Sequence, residues 1–336
     1  MIQNSNQYVF NRKQKAKEDA YKKLSLNPPF PKNIMIETTN ACNQSCVFCS
    51  NKKMTRKRKL IDKRLCINII EQAKQAGADE IGFYTTGEPL LHKDLELFIS
   101  KSKSLGFSYT YISTNGGSDN SERFKKLIDS GLDSIKFSIN AGTKETYNII
   151  HGKNDWDCVI NNIFFVDNYR KQKKIQLKLS ATYIVIPENK HECNQFRQKF
   201  ESVVDDIYFN PGAGIQAAYM LENIDKGFHN STDENMANPT LPCWQLFNRA
   251  HVTCEGFLNM CCIDFQNYLA VADLNKVKLI DAWTDPVFKD MRSQHINKNL
   301  SKTLCYNCIN KEISSVEPLV LELSSPFLFK SSLQRS

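Results

Sequence analysis

Beyond residue 32 the chain alternates between two hydrophobic periods. Strand-like runs lie at 34–39, 80–86, 108–114, 134–140, 178–186 and 206–210. Between them, 62–76, 93–105, 121–130, 157–170 and 190–200 carry apolar residues at helical spacing. Asn154 and Asn189 stand where N-caps are expected, and Gly77, Gly106 and Gly131 each follow a helix where a left-handed residue is wanted. Six strands alternating with five helices predict right-handed parallel βαβ units that close towards a barrel. Eight units would complete a (β/α)8 barrel. Six predict an α/β fold of the partial (β/α)6, TIM-like kind, with its chemistry at the C-terminal ends of the strands.

The rest of the chain divides by composition. Residues 1–32 read as a charged N-terminal extension with one helix over 12–23, ended by Asn27-Pro28-Pro29. The barrel body is expected over 33–224, followed by a linker at 225–242 rich in Asn, Asp, Ser, Thr and Pro. A small cysteine-rich domain follows at 243–310, then a tail at 311–336 with apolar patches at 319–323 and 327–329. Charged residues at 24% and hydrophobic ones at 41% describe an ordinary soluble protein. No run of 18 apolar residues occurs, so neither a membrane span nor a signal peptide is expected. Twelve cysteines in such a chain read as thiols kept for metal, which implies a reducing, cytoplasmic compartment.

The net charge of +8 suggests an acidic partner. Its densest block is Lys52, Lys53, Arg56, Lys57, Arg58 and Lys59. Such a block suits an acidic electron donor or an anionic substrate, and equally a solvated loop. Nucleic acid is not expected as a partner, because no helix-turn-helix, zinc-finger or aromatic RNA-binding pattern accompanies the charge. P-loop, nucleophile-elbow and GxGxxG patterns are absent as well, which removes hydrolytic and nucleotide-phosphate classes.

The chemistry concentrates in Cys42-Asn43-Gln44-Ser45-Cys46-Val47-Phe48-Cys49, directly after the first strand. A closed structural site takes four protein ligands. Three on one short loop suggest a [4Fe–4S] cluster with one iron open, although a zinc knuckle or buried free thiols would share the spacing. The C-x3-C-x2-C pattern resembles the radical S-adenosylmethionine (SAM) superfamily. The resemblance implies that Cys42, Cys46 and Cys49 hold a cluster whose open iron chelates the amino and carboxylate groups of SAM. One electron then cleaves SAM to a 5′-deoxyadenosyl radical, and Phe48 packs near the adenine.

Three strand ends extend the resemblance. Thr85-Thr86-Gly87-Glu88-Pro89 is similar to the superfamily's Gly-Gly-Glu-Pro segment, with Thr86 in place of the first glycine. The backbone of Thr86, Gly87 and Pro89 and the carboxylate of Glu88 would hold the methionyl ammonium. Ser113-Thr114-Asn115-Gly116 ends the third strand in the family manner, which places Ser113 and Asn115 at the cofactor. On the fourth strand, alternation puts Lys136, Ser138 and Asn140 on the inward face, with Phe137 and Ile139 outward. Ser138 and Asn140 suit ribose hydroxyls, and Lys136 suits a carboxylate.

The C-terminal pattern is Cys243-x12-Gly256-x4-Cys261, then 43 residues, then Cys305-x2-Cys308. By itself it would read as structural zinc. Beside the first motif it resembles the SPASM and shortened twitch extensions, which hold auxiliary [4Fe–4S] clusters. The full SPASM form has three more cysteines, whereas none follows Cys308. That departure implies one auxiliary cluster on Cys243, Cys261, Cys305 and Cys308, with Cys262 the alternative to Cys261. Cys66, Cys158, Cys193 and Cys254 stand alone, and His92, His151, His191 and His229 show no ligand pairing. Asp264, His251 and Arg249 are the candidate acid–base residues.

The implied function is a radical SAM oxidoreductase of dehydrogenase type. It would abstract hydrogen from a carbinol carbon of a sugar-like or nucleotide-linked small molecule. A fully ligated auxiliary cluster would accept the second electron, and a flavodoxin- or ferredoxin-type donor would supply the first. The alternative is oxidation or crosslinking of a peptide or protein, for which an extension of about 30 residues is short of the peptide-binding module of many peptide-modifying relatives. A non-catalytic iron–sulfur or zinc protein is the third reading.

Overall fold

The computed structural model describes residues 8–22, 24–211, 241–310 and 315–325. The expected linker, apart from residues 241–242, lies outside these residues, as do His229 and the patch at 327–329. Six parallel strands follow the expected order: β1 (Asn33–Ile36), β2 (Glu80–Gly82), β3 (Tyr109–Thr114), β4 (Ser134–Ser138), β5 (Lys178–Val185) and β6 (Asp206–Pro211). The sheet stays open, so this is a partial TIM-like barrel. Its helices are α2 (Lys63–Gln75), α3 (Leu95–Ser104), α4 (Glu122–Asp129), α5 (Lys144–His151), α6 (Trp156–Lys173) and α7 (Cys193–Phe200). They follow α1 (Tyr8–Tyr21), whose Arg12 pairs with Glu80 at 2.6 Å.

Alternation sorts the side chains. On β3, Thr110, Ile112 and Thr114 are buried beneath the helices, while Tyr109, Tyr111 and Ser113 stay half-buried on the other face. On β4, Ile135 and Phe137 are buried and Lys136 and Ser138 half-buried. The helices answer with narrow apolar stripes. Helix α2 buries Cys66, Ile69, Ile70 and Ala73, spaced by three, one and three residues along one face. Gly77, Gly106 and Gly131 have φ of +98°, +82° and +95°, so each helix stops where only glycine is unstrained.

Two local expectations fail. Neither Asn154 nor Asn189 caps a helix through its side chain. Asp155 precedes α6, and the Asn189 amide instead donates to the Asn140 and Ile184 carbonyls at 2.9 Å. Helix α5 was not anticipated. The Thr143 hydroxyl caps its start by accepting from the Thr146 N–H, and Gly152 ends it at φ +63°. Its eight residues are too few for hydrophobic periodicity to announce it.

The cysteine-rich region joins the same sheet. Strand β7 (Arg249–Val252) lies parallel to β1, pairing Ile34 with Ala250 and Ile36 with Val252. Strands β8 (Phe257–Asn259) and β9 (Ala270–Asp273) continue antiparallel, giving nine strands in the order β6-β5-β4-β3-β2-β1-β7-β8-β9. No helix among the described residues is long and apolar enough to cross a membrane.

A buried ion pair secures this junction. Arg56, only 3% exposed, contacts the Glu37 carboxylate just past β1 and Glu255 between β7 and β8, the latter at 2.6 Å. The basic block therefore splits. Arg56 is internal and Arg58 donates to the Asn40 and Asn51 carbonyls at 2.7 Å, while Lys52, Lys57 and Lys59 remain exposed. Burial raises the Glu37 pKa, but the Arg56 charge and hydrogen bond outweigh it and hold it at about 2. Glu37 thus stabilises the fold above its ordinary 4.5, and that contribution is lost as pH falls towards 2. Arg56→Met strands two carboxylates and should cost about 3–5 kcal/mol, read by urea denaturation. Stability at pH 7 within 1 kcal/mol of the wild type would remove the clamp from the account.

Candidate metal centre and cofactor site

The loop that carries Cys42, Cys46 and Cys49 is held by its own polar residues. The Asn40 amide donates to the Lys57 carbonyl at 2.9 Å and its oxygen accepts from the Lys59 N–H at 2.8 Å. The Asn51 amide donates to the carbonyls of Asn40 and Thr86 at 2.9 and 3.1 Å. Ser45 and Val47 donate backbone N–H groups to the His151 and Ile150 carbonyls, both at 2.9 Å. Half-buried Phe48 sits in the turn closed by the Cys49 N–H on the Cys46 carbonyl, at 3.1 Å.

Burial raises all three thiols, Cys42 to about 11. Charge at Cys49 raises both other thiols further, and charge at Cys42 raises Cys46. Three thiols that sense one another in a desolvated pocket stay protonated unless a metal takes the place of the protons. The donor set therefore fits an iron–sulfur cluster.

The end of β2 lies directly on this loop. A Cβ at Gly87 would stand 2.3 Å from the Thr39 carbonyl oxygen and 2.4 Å from that of Ala41, so only glycine permits the approach. The carboxylate of Glu88 is largely spent inside the protein. It accepts from the Leu90 N–H at 3.0 Å, the Thr114 hydroxyl at 2.7 Å and the Asn115 N–H at 2.8 Å. Pro89 opens the short turn Pro89–Leu91 that Glu88 caps. The side chain of Asn115 in turn reaches Asn43 at 2.8 Å and the Cys42 sulfur at 3.8 Å. Glu88 thus ties the ends of β2 and β3 to the cysteine loop.

Further along the inward face, Ser113 and Thr182 each place a hydroxyl 3.4 Å from that of Ser138. Thr182 on β5 was not singled out in the sequence, because one threonine in a strand carries no signal. Asn140 takes the left-handed conformation, at φ 55°, and its side chain accepts from the Ile184 N–H at 2.8 Å. Lys136 points its ammonium over the Tyr84 ring at 5.0 Å, and the Arg249 guanidinium lies 5.0 Å over Trp244. Burial, and then the Arg249 charge, lower the Lys136 pKa to about 8.

Five thiols gather in the C-terminal region. Cys243 precedes the helix Gln245–Asn248, Cys261 and Cys262 follow β8, and Cys305 and Cys308 lie on the helix Leu304–Asn310. Cys305 feels Cys243 and Cys308, Cys261 feels Cys305, and Cys262 is felt by Cys243 and Cys308. The Cys261 thiol donates to the Cys262 sulfur, which the neighbouring His251 and Arg249 also favour as thiolate. Cys261 and Cys262 therefore both remain candidates for the fourth ligand position. Asp264 does not stand free: its oxygens accept from the Asn259 amide at 2.8 Å and from the Leu269 and Gln266 N–H groups at 2.7 and 3.1 Å. Cys66, Cys193 and Cys254 are buried elsewhere. The Cys254 sulfur lies 3.5 Å from Arg56, whose guanidinium already neutralises Glu37 and Glu255.

The model of the radical SAM superfamily matches residues 36–199, and that of the SPASM iron-sulfur cluster-binding domain matches residues 243–309. Residues 36–199 are a radical SAM domain and residues 243–309 a SPASM domain. An uncharacterized protein of Methanocaldococcus jannaschii is 32% identical over 174 residues, 51% of this chain and about half of the relative, at 54%. BtrN in complex with AdoMet and 2-DOIA has a TM-score of 0.55 at 20% identity, over 85% of this chain and 96% of that one. anSMEcpe with bound AdoMet scores 0.59 at 12% identity, over 86% and 90%. Streptococcus suis SuiB bound to precursor peptide SuiA scores 0.57 at 16%, over 86% and 72%. At such identities the likeness is one of fold. As a radical SAM protein with a SPASM domain, the chain uses a SAM-binding [4Fe–4S] cluster and an auxiliary iron–sulfur cluster.

Anaerobically reconstituted protein should carry about eight irons per chain, two cubanes of four. Cys42→Ala, Cys46→Ala or Cys49→Ala should each leave about four and abolish SAM cleavage. Iron and zinc analysis checks both, and one zinc with about four irons in the wild type would exclude a second cubane. Glu88→Gln places an amide N–H2 against backbone N–H donors. It should cost about 1.5–3 kcal/mol in stability and weaken SAM binding indirectly. Thermal denaturation and calorimetric SAM titration are the checks, and an unchanged melt would deny Glu88 its tying role.

Proposed function

We propose that this radical SAM enzyme oxidises a carbinol carbon in an anionic, sugar-like or nucleotide-linked small molecule. The observation that carries the reading is the cationic pair on the inward face. Lys136 senses the Arg249 charge, neither makes a carboxylate ion pair among the described residues, and the Arg249 Nε is buried without a hydrogen-bond partner among them. Two cations in a desolvated interior repel one another, the Cys262 thiolate offsets them only in part, and a bound phosphate or carboxylate relieves both. The flanking rings of Tyr84 and Trp244 suit the apolar face of a sugar or a base.

The other parts are assigned within the same reading. Cys42, Cys46 and Cys49 hold the SAM-binding cluster; Cys243, Cys305 and Cys308 with Cys261, or Cys262 in its place, hold the auxiliary one. Bound together, these groups supply reductive cleavage of SAM, hydrogen abstraction and an outlet for the second electron. The backbone from Thr86 to Pro89 borders the methionyl end. The hydroxyls of Ser113, Ser138 and Thr182 form a row suited to ribose. His251 is 2% exposed in the cleft lined by Thr85, Thr86, Cys261 and Cys262, and neither ring nitrogen has an oxygen or nitrogen partner among the described residues. In this reading His251, beside the Cys262 sulfur, takes the carbinol proton, while Asp264 is occupied by the loop it organises. Exposed Lys52, Lys57 and Lys59 beside the cysteine loop suit an acidic flavodoxin- or ferredoxin-type donor.

Peptide modification is the second reading. BtrN with 2-DOIA and SuiB with its precursor peptide share this fold, so the fold does not choose, and the cationic pair favours the small anion. With dithionite and SAM the reconstituted protein should release 5′-deoxyadenosine slowly. Phosphorylated or nucleotide-linked sugars should accelerate it, and their neutral counterparts should not. Lys136→Met and Arg249→Met should lose the acceleration by about tenfold or more, as expected when a charge-assisted contact is removed, and keep the slow background. Acceleration by peptides alone would hand the protein to the second reading, and no deoxyadenosine at all would mark it as non-catalytic.

A further inference from the structure

Two consecutive residues grip the auxiliary loop from both ends. Arg56 takes Glu255 ahead of β8, and Thr55 takes Gln266 beyond it. The stretch between these two anchors, 255–266, carries β8, Cys261 and Cys262. Gln266, 1% exposed, meets Thr55 with both ends of its amide. Its oxygen accepts from the Thr55 N–H and its nitrogen donates to the Thr55 hydroxyl, each at 3.0 Å. A side-chain amide offers the acceptor and the donor that this pair of groups requires.

Both partners are tied to cysteines. Thr55 lies two residues past the turn Ser50–Lys53 that leaves Cys49, and the Asn51 amide and Arg58 both fasten to the Asn40 carbonyl. On the auxiliary side, the Gln266 N–H donates to Asp264 Oδ1 at 3.1 Å, and the Asp264 N–H donates to the Cys261 carbonyl at 3.3 Å. The Cys261 N–H is held in turn by Asn259 Oδ1 at 2.9 Å. The C-terminal segment closes over the same loop. Its Ser325 N–H meets the Gln266 carbonyl at 3.0 Å, and its Leu319 N–H meets that of Tyr268 at 2.9 Å.

We propose that Thr55 and Gln266 form a positioning pair that fixes the distance between the SAM-binding cluster and the auxiliary cluster. Arg56 and the β1–β7 ladder set where the auxiliary hairpin begins, but a loop held at one end can pivot. A second contact beyond the cysteines removes the pivot. Letting go would leave a buried amide with two unmet hydrogen-bonding groups, so the pair keeps one geometry. Spacing matters because electron transfer between redox groups weakens steeply with distance, and a displacement of about 1 Å in a reacting assembly can cost about a hundredfold in rate. The pair acts on the two clusters, and so serves small-molecule and peptide substrates alike.

The test is pulsed electron paramagnetic resonance of the reconstituted protein with both clusters reduced. Dipolar coupling to the SAM-binding cluster should speed spin relaxation at the auxiliary one, and Cys42→Ala supplies the uncoupled reference. Equal relaxation in the wild type and Cys42→Ala would leave no spacing to hold and overturn the proposal. Gln266→Leu removes both contacts and should shift the enhancement from the wild-type value, whereas Thr55→Ser keeps both and should leave it in place. An unmoved enhancement in Gln266→Leu, with or without a lower melting temperature, makes the pair a stabilising contact only and overturns the proposal. Should Gln266→Leu fail to take up both clusters, Thr55→Val, which gives up the hydroxyl contact alone, takes its place. A smaller shift is expected there, and no shift overturns the proposal equally.

Discussion

Arg56 between Glu37 and Glu255 is the contact on which the arrangement of both cluster sites depends. Glu37 follows β1, Arg56 follows the cysteine loop, and Glu255 lies between β7 and β8. One guanidinium thus fixes a strand end, a metal-binding loop and the auxiliary hairpin at a single point. In a low-dielectric interior neither charge can be relieved by water, so the geometry that pairs them is strongly specified. The β1–β7 ladder carries the same constraint along the backbone, and the five C-terminal thiols are thereby held beside the open edge of the barrel.

Polar side chains around the strand ends fall into two groups. Asn40, Asn43, Gln44, Glu88, Asn115 and Asn140 spend their donors and acceptors on one another and on the backbone. They build the cradle. Ser113, Ser138, Thr182, Lys136 and Arg249 keep hydrogen-bonding capacity turned inward. A site assembled this way has its orientation set before any ligand arrives, which lowers the cost of ordering on binding. Glu88 shows the distinction: its motif marks it as a cofactor contact, while three internal donors make it a brace between the ends of β2 and β3.

The sequence by itself determined the open α/β barrel, since each strand and most helices carry their own period, and the cysteine loop, since three ligands lie within eight residues. The inward face of β4 was legible for the same reason, because alternation is a local property. Gln266 was not legible: its partner Thr55 is 211 residues away, and a single glutamine in a loop has no pattern of its own. Arg56 read as one charge in a basic block, and only tertiary structure, bringing Glu37 and Glu255 around it, separated a buried clamp from its solvated neighbours. The joining of the cysteine-rich region to the barrel sheet was decided in the same way. Four-residue strands such as Arg249–Val252 gain their stability from a neighbouring edge, and that edge, β1, lies more than 200 residues earlier in the chain.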